Sequence, residues 1–130
     1  DIAPQARLIL LVREMLAGFG MQEILSPVLC NKEILYQKMN CEDSGTVEIR
    51  EYMSATYSCV RSWIIPVLLD ALSKNKHNPY PQKIFEQGLV AKRHGEHVTD
   101  SEIVSATWCE HDADYTKMRQ VGCNKEEKLE

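Results

Sequence analysis

The sequence lacks the short motifs that mark most nucleotide, metal and nucleophile sites. Its 130 residues contain no Walker-type glycine loop, no GxGxxG and no GxSxG. Histidine and cysteine pairs stand at 94–97 and 109–111, but no CxxC or HxxxH completes a zinc ligand set. We therefore expect no metal ligands, no cofactor site and no catalytic residue within this chain.

Excess positive charge and long apolar runs are also missing. The formal net charge is −4, so no overall basic character indicates a nucleic-acid-binding protein. The longest apolar runs, residues 8–12 and 63–69, are too short to span a membrane. The five cysteines cannot all pair with one another, and free thiols in a reducing cytoplasm are expected. A local basic cluster at 74–97 is either a set of solvated loops or a phosphate-binding patch.

The remaining pattern predicts one α+β domain, an antiparallel sheet flanked by helices. Hydrophobic residues make up 44% of the chain, enough for a real core. Apolar periodicity, prolines and caps predict helices over 4–19 and from 61 or 62 to 76, with a short helix after Asn31 and a last one from Asp112. Strands are predicted over 21–29, 83–92 and 101–109, with a loop at 93–100. Helices and antiparallel strands without βαβ alternation indicate this class.

The first helix is apolar around nearly its whole circumference. Its segment LILLV, residues 8–12, places five apolar residues in succession. We expect the stripe of Leu8, Leu11, Met15 and Phe19 to pack on the domain's own sheet and Ile9 and Leu10 to face a second chain. A central core helix is the alternative.

Two stretches resemble a known enzyme family. Residues 18–29, GFGMQEILSPVL, resemble motif 1 of class II aminoacyl-tRNA synthetases, in which an interface helix, a glycine break and a strand with a proline follow one another. Residues 57–90 resemble the beta chain of phenylalanyl-tRNA synthetases of the archaeal and eukaryotic type, and the resemblance extends over about residues 7–121. The matching positions are Arg61, Pro66, Leu68, Leu69, Asn75, Phe85, Glu86 and Gly88.

The resemblance implies an incomplete class II synthetase-like domain, with a motif 1-like helix at 1–20 and a motif 2-like region at 61–109. The whole enzyme would use ATP and Mg²⁺ in the cytoplasm to attach phenylalanine to its tRNA, as an assembly of two alpha and two beta chains. The alpha subunit is the expected partner, and the isolated chain is expected to form a homodimer. The expected subunit interface consists of Leu8, Ile9, Leu10, Val12, Met15 and Pro27. Residues 128–130 are interpreted as a cloning tail.

In that family the beta chain's synthetase-like domain is non-catalytic and packs against the catalytic alpha chain. An aligned catalytic strand would read Gly-x-Val-x-Arg-x-acid, whereas this sequence has Lys92 and His94 at the last two positions. A lysine lacks the bidentate fork with which arginine grips phosphate. Lys92 and Arg93 are nevertheless candidate phosphate or RNA contacts. The alternatives are a standalone adenylating enzyme, which the missing arginines disfavour, and an RNA-binding or protein-interaction module of the same fold.

Overall fold

A computed structural model of the chain describes residues 3–110, and these residues form the predicted α+β fold. The helix predicted from residue 112 and the tail at 128–130 lie outside the described residues. The elements in chain order are α1 (Pro4–Gly18), β1 (Gln22–Glu23), β2 (Leu29–Cys30), a π-helical turn (Glu33–Gln37), β3 (Val47–Glu48), a 3₁₀ turn (Ala55–Tyr57), β4 (Cys59–Val60), α2 (Ile65–Lys74), β5 (Gln82–His94) and β6 (His97–Cys109). None of the helices within residues 3–110 is long and apolar enough to cross a membrane.

Residues 3–110 form two three-stranded sheets. The larger has the order β1-β5-β6, with β1 parallel to β5 and β5 antiparallel to β6. The smaller is antiparallel, in the order β2-β4-β3. The single strand predicted over 21–29 is therefore wrong, because its two ends, β1 and β2, belong to different sheets. The chain turns between them where the backbone N–H of Ser26 donates to Glu86 Oε1, at 3.1 Å, instead of to a strand.

The loop predicted at 93–100 is also wrong, because β5 and β6 continue through it as a ladder. His94 pairs with His97, so the hairpin turns over only Gly95 and Glu96. Gly95 has φ +63, a left-handed conformation that glycine adopts without steric cost. The residues of this tip are exposed on both faces. They carry no apolar alternation from which a strand could be predicted.

The core lies between α2 and one face of the larger sheet. Ile64 and Leu68 are fully buried and pack in one cluster with Val90, beside Ile84 and Ile103. These strand residues share a face because side chains alternate along a strand. Proline at the start of α2 is tolerated, as predicted for Pro66, because first-turn N–H groups have no partner within the helix.

The orientation predicted for α1 is wrong. Leu8, Leu11, Met15 and Phe19 do not pack on the domain's own sheet but are 50–71% exposed. The side that faces the domain is half-buried and consists of Ile9, Val12, Arg13 and Leu16. Arg13 belongs to this side, and its guanidinium lies 2.8 Å from the carboxylate of Glu23 on β1. An apolar pattern on all sides of a helix cannot reveal which side packs on the domain.

Candidate functional site

A buried ion pair lies at the centre of the motif 2-like region. The Arg61 guanidinium donates to Glu86 Oε1 at 2.7 Å, to the Ser26 hydroxyl at 2.9 Å and to the Leu89 carbonyl at 2.9 Å. Glu86 also accepts from the Ser26 hydroxyl at 2.6 Å. Arg61 and Glu86 are each 1% exposed. A buried charge is tolerated when it is paired and hydrogen-bonded, and both conditions hold here.

Glycine at position 88 makes room for this ion pair. A Cβ added to Gly88 would lie 2.3 Å from Arg61 Nη2. The guanidinium therefore crosses directly over the backbone of Gly88 to reach Glu86, two residues away on the same face of β5. This contact explains why an arginine at position 61 is combined with the sequence Glu-x-Gly at residues 86–88.

The other motif positions also have structural roles. Phe85 is 1% exposed, as predicted, and lies on the opposite face of β5 from Glu86. Asn75 ends α2, where its side-chain amide donates to the Ala71 carbonyl at 3.0 Å and its carbonyl accepts from the side chain of Gln82 at 2.9 Å. Leu69 is partly buried beside the α2 core cluster. The family-motif residues thus hold the joint between α2 and β5 together.

A second hydrogen-bonded network was not predicted from the sequence. Asp43 Oδ1 accepts from the N–H groups of Gly45 and Thr46, at 3.0 and 2.9 Å, and from the Thr46 hydroxyl at 2.7 Å. The Thr46 hydroxyl lies 3.0 Å from that of Tyr36, which lies 2.7 Å from that of Ser62. The spacing Asp-x-Gly-Thr is the local signal that could have indicated the turn. Nothing in the sequence indicates its link to Ser62.

The sheet face next to α2 carries a small pocket of about 180 Å³ lined by Ser62, Trp63, Val90, Lys92, Thr99, Ser101 and Ile103. Lys92 is the one charged residue that the described part of the chain contributes to that lining. Arg93 lies on the opposite face, where its Nε donates to the Gly95 carbonyl at 3.0 Å. The structure therefore does not bring together the two candidate phosphate contacts.

The residues at this face do not fit a nucleotide with Mg²⁺. Arg61 and Glu86, which could contact a phosphate and a metal ion, are buried and hold each other. Among the described lining residues, Lys92 would be left as a single cation without a carboxylate beside it. Among residues 3–110 no group of three or more His, Cys, Asp or Glu is placed to hold a metal ion.

Cys30, Cys41 and Cys59 are free thiols. Cys30 and Cys59 face each other across β2 and β4, and both are buried. Burial and, to a smaller extent, the neighbouring Cys59 together raise the pKa of Cys30 to about 12. A thiol with so high a pKa is a poor nucleophile.

The residues predicted for a subunit interface differ in their accessibility. Leu8, Leu10 and Met15 are 44–61% exposed, and Pro27 is exposed as well. Ile9 and Val12 are half-buried on the side of α1 that faces its own domain. We call the exposed stripe of Leu8, Leu11, Met15 and Phe19 the outer face of α1.

Comparison with known proteins shows the family of this chain. Residues 2–124 match the family described as the phenylalanyl-tRNA synthetase beta chain CLM domain. The chain belongs to this family. The beta subunit of phenylalanine–tRNA ligase from Pyrococcus horikoshii is 45% identical over 78 residues, which are 60% of this chain and 14% of that protein. The corresponding subunit of Thermococcus sibiricus is 36% identical over 99 residues, 73% of this chain and 18% of that protein.

Solved structures confirm the class II synthetase-like fold of this beta-chain domain. An ATP phosphoribosyltransferase regulatory subunit/histidyl-tRNA synthetase from Bacillus halodurans has a TM-score of 0.65 at 15% identity, over 83% of this chain and 30% of that one. The pyrrolysyl-tRNA synthetase PylSc of Desulfitobacterium hafniense has a TM-score of 0.54 at 18% identity, over 77% and 38% of the two chains. At these identities the likeness concerns the fold alone. The chain spans less than a fifth of the length of the beta subunits cited above.

Proposed function

We propose that this domain is a non-catalytic scaffold of the phenylalanine–tRNA ligase beta subunit and contacts the catalytic alpha subunit. The whole ligase would use ATP and Mg²⁺ in the cytoplasm to attach phenylalanine to its tRNA, as two alpha and two beta chains. Membership of the beta-chain family supports the assignment to the ligase. The contact with the alpha subunit and the scaffolding role rest on the features described next.

The outer face of α1 is the observation that carries the proposed contact. Its four apolar side chains are exposed along the length of the helix, whereas Leu10, which is 44% exposed, lies on the far side of the helix with Ala6 and Ala17. A contiguous apolar surface of this kind on a protein in water marks an interaction site. The neighbouring side of the same helix holds the domain through Ile9, Arg13 and Leu16. α1 would thus lie between the domain and its partner.

The buried ion pair supports a non-catalytic role. Catalysis on ATP would need cationic and acidic groups that can reach the nucleotide. Arg61 and Glu86 instead connect the Ser26 segment, the segment between β4 and α2, and β5 inside the domain. Their charges stabilise the fold and do not reach a nucleotide. Lys92, the cation that remains, lacks the bidentate hydrogen-bonding geometry with which arginine binds phosphate.

Two double variants of α1 test the contact with the alpha subunit. Leu11→Glu with Met15→Lys places opposite charges on the outer face, and Ala6→Glu with Ala17→Lys places the same charges on the exposed far side of the helix. The chain is co-expressed with an alpha subunit, and the mass of the purified complex is measured. We expect the wild type and the far-side variant to retain the alpha subunit and the outer-face variant to lose it. Equal retention in all three would contradict the proposed contact, provided that circular dichroism shows them folded.

Phenylalanine-dependent exchange of pyrophosphate into ATP tests the non-catalytic assignment. The purified 130-residue chain is expected to give the rate of a no-protein control. Exchange well above that control would show an adenylating site in this chain and would favour the standalone enzyme. The alternative of an RNA-binding module would instead give tRNA binding that weakens steeply with salt and depends on Lys92 or Arg93.

A further inference from the structure

The tip of the β5–β6 hairpin makes two histidines neighbours. His94 ends β5, His97 begins β6, and the two are paired in the register of the ladder. Residues that are paired across two antiparallel strands point to the same face of the sheet, with their Cβ atoms about 4.5–5.5 Å apart. Both histidines are exposed. The two imidazoles therefore share one accessible surface.

The turn between the two histidines has a defined conformation. Of its two residues, Gly95 and Glu96, only Gly95 has a positive φ, +63, which is the pattern of a type II′ hairpin turn. The Gly95 carbonyl accepts from Arg93 Nε at 3.0 Å. Arg93 lies on the opposite face from His94, so this hydrogen bond holds the turn without occupying the histidine face. The backbone of the pair is thus set before any ligand binds, which lowers the entropic cost of binding.

Two imidazoles at this spacing can chelate a transition-metal ion. On an α-helix, histidines at positions i and i+4 bind zinc together although their Cβ atoms are about 5–6 Å apart. The pair across the hairpin is at least as close, so both rings can reach one ion at the usual zinc–nitrogen distance of about 2.0–2.1 Å. Imidazole suits Ni²⁺, Cu²⁺ and Zn²⁺, whereas Mg²⁺ and Ca²⁺ prefer oxygen ligands. The chemistry of the pair therefore selects a divalent transition metal.

The charges around the pair are mixed. Glu96 is exposed in the turn and places a carboxylate between the two histidines along the chain. Lys92 shares the histidine face, two residues before His94, and its charge opposes a bound cation. Lys92 also lines the pocket beside Trp63, on the side of the pair that faces the domain. The approach from the turn, where Glu96 lies, is therefore the favourable one for a cation.

We propose that His94 and His97 form a two-histidine site for a divalent first-row transition-metal ion. Within residues 3–110 no third His, Cys, Asp or Glu completes a group that could hold a metal, so water or a donor from another molecule takes the remaining positions of the ion. The sequence prediction of no metal ligands considered only a complete zinc set, whereas a chelate needs only the pair that the register brings together. The site is independent of the contact proposed for α1 and of the Mg²⁺ that the whole ligase would use.

Titration calorimetry with Ni²⁺ tests the site on the 130-residue chain without a polyhistidine tag. Ni²⁺ is the probe because it binds imidazole, whereas Zn²⁺ also binds thiolates. We expect His94→Ala and His97→Ala each to weaken binding at least about tenfold, because the second imidazole binds within the same molecule. His77→Ala is the control, since His77 is exposed in the loop between α2 and β5, and it should leave the affinity unchanged. Absence of binding to the wild type, or an equal loss in all three variants, would overturn the proposal.

A double variant that keeps the amino-acid composition tests the geometry of the pair. His97→Val with Val98→His moves the second histidine by one residue and thus to the opposite face of β6. Val98 is 55% exposed, so the exchange disturbs no core contact. We expect the affinity for Ni²⁺ to fall as far as it does in His97→Ala. An affinity equal to that of the wild type would show that the histidines bind separately and would overturn the proposal. If circular dichroism shows that the double variant does not fold, the single alanine variants still decide.

Discussion

Gly88 and Arg61 approach so closely that no side chain fits between them: a Cβ on Gly88 would lie 2.3 Å from Arg61 Nη2. The guanidinium cannot easily move aside, because Glu86, Ser26 and the Leu89 carbonyl hold it and it is buried. The glycine is thus required by an arginine 27 positions earlier in the chain. The same contact connects the segment between β4 and α2 to the middle of β5.

Gly88→Ala is therefore expected to destabilise the domain. The added methyl group would displace Arg61 from Glu86 or bend β5, at a cost of about 1–3 kcal/mol in the free energy of unfolding. Gly18→Ala is the matched control, since no atom lies within 4 Å of a Cβ at Gly18. Alanine in that helical position should leave stability equal or raise it by up to about 1 kcal/mol. Urea unfolding measures both variants, and equal midpoints would show that Arg61 adjusts without cost.

Phe85 and Phe19 provide a comparison of the same residue type in opposite environments. Phe85 is 1% exposed and Phe19 is 71% exposed. Phe85→Ala should lower the free energy of unfolding by about 3–5 kcal/mol, because it removes a buried ring and leaves a cavity. Phe19→Ala should change it by no more than about 0.5 kcal/mol under conditions in which the chain is monomeric. Similar losses in both variants would mean that α1 is a core element after all.

The sequence predicted those elements whose signals are local. Pro4 and Pro66 stand in the first turns of α1 and α2, and Asn31 accepts from the N–H of Ile34, at 3.0 Å, at the start of the helical turn. Each of these signals acts within a few residues. They could be recognised without knowledge of the rest of the fold.

The candidate site could not be predicted in the same way, because its contacts span long distances in sequence. Ser26 and Glu86 are 60 positions apart, and their hydrogen bonds divert the chain between β1 and β2. Charged residues are rarely buried, so Glu86 in an apolar strand gave no reason to expect full burial. The family resemblance identified Arg61, Glu86 and Gly88 as positions of interest. Their packing against one another became visible only in three dimensions.

Acid should weaken the loop around Asp43. Partial burial raises the pKa of Asp43, but hydrogen bonds from Thr46, Lys32 and the N–H of Gly45 together outweigh it and lower the pKa to about 2. The unfolded chain has a pKa of about 3.9 at this residue, so ionised Asp43 stabilises the fold above about pH 4. That contribution is lost as the pH falls from about 4 to about 2.

Asp43→Asn tests this dependence, because asparagine has the same shape and does not titrate. Wild type and variant are unfolded with urea at about pH 5.5 and about pH 2.5. We expect the wild type to be the more stable of the two at the higher pH, and the difference to shrink at the lower pH. A difference that is the same at both values would show that the hydrogen bonds, and not the ionised carboxylate, stabilise the loop.

The isolated chain should self-associate through the outer face of α1 when the alpha subunit is absent. Four exposed apolar side chains on one helix favour burial against a second copy, and a two-fold dimer uses the same surface twice. The variant Leu11→Glu with Met15→Lys should then be monomeric, whereas Ala6→Glu with Ala17→Lys should retain the dimer mass. Sedimentation equilibrium measures the masses, and circular dichroism shows whether the helix content is kept.

Ile9 is unsuitable for this test because it is half-buried against its own domain, so a charge there would confuse loss of folding with loss of association. A dimer that survives charges at Leu11 and Met15 would show that another surface holds the two copies together, and a monomeric wild type would show that the outer face requires a different partner.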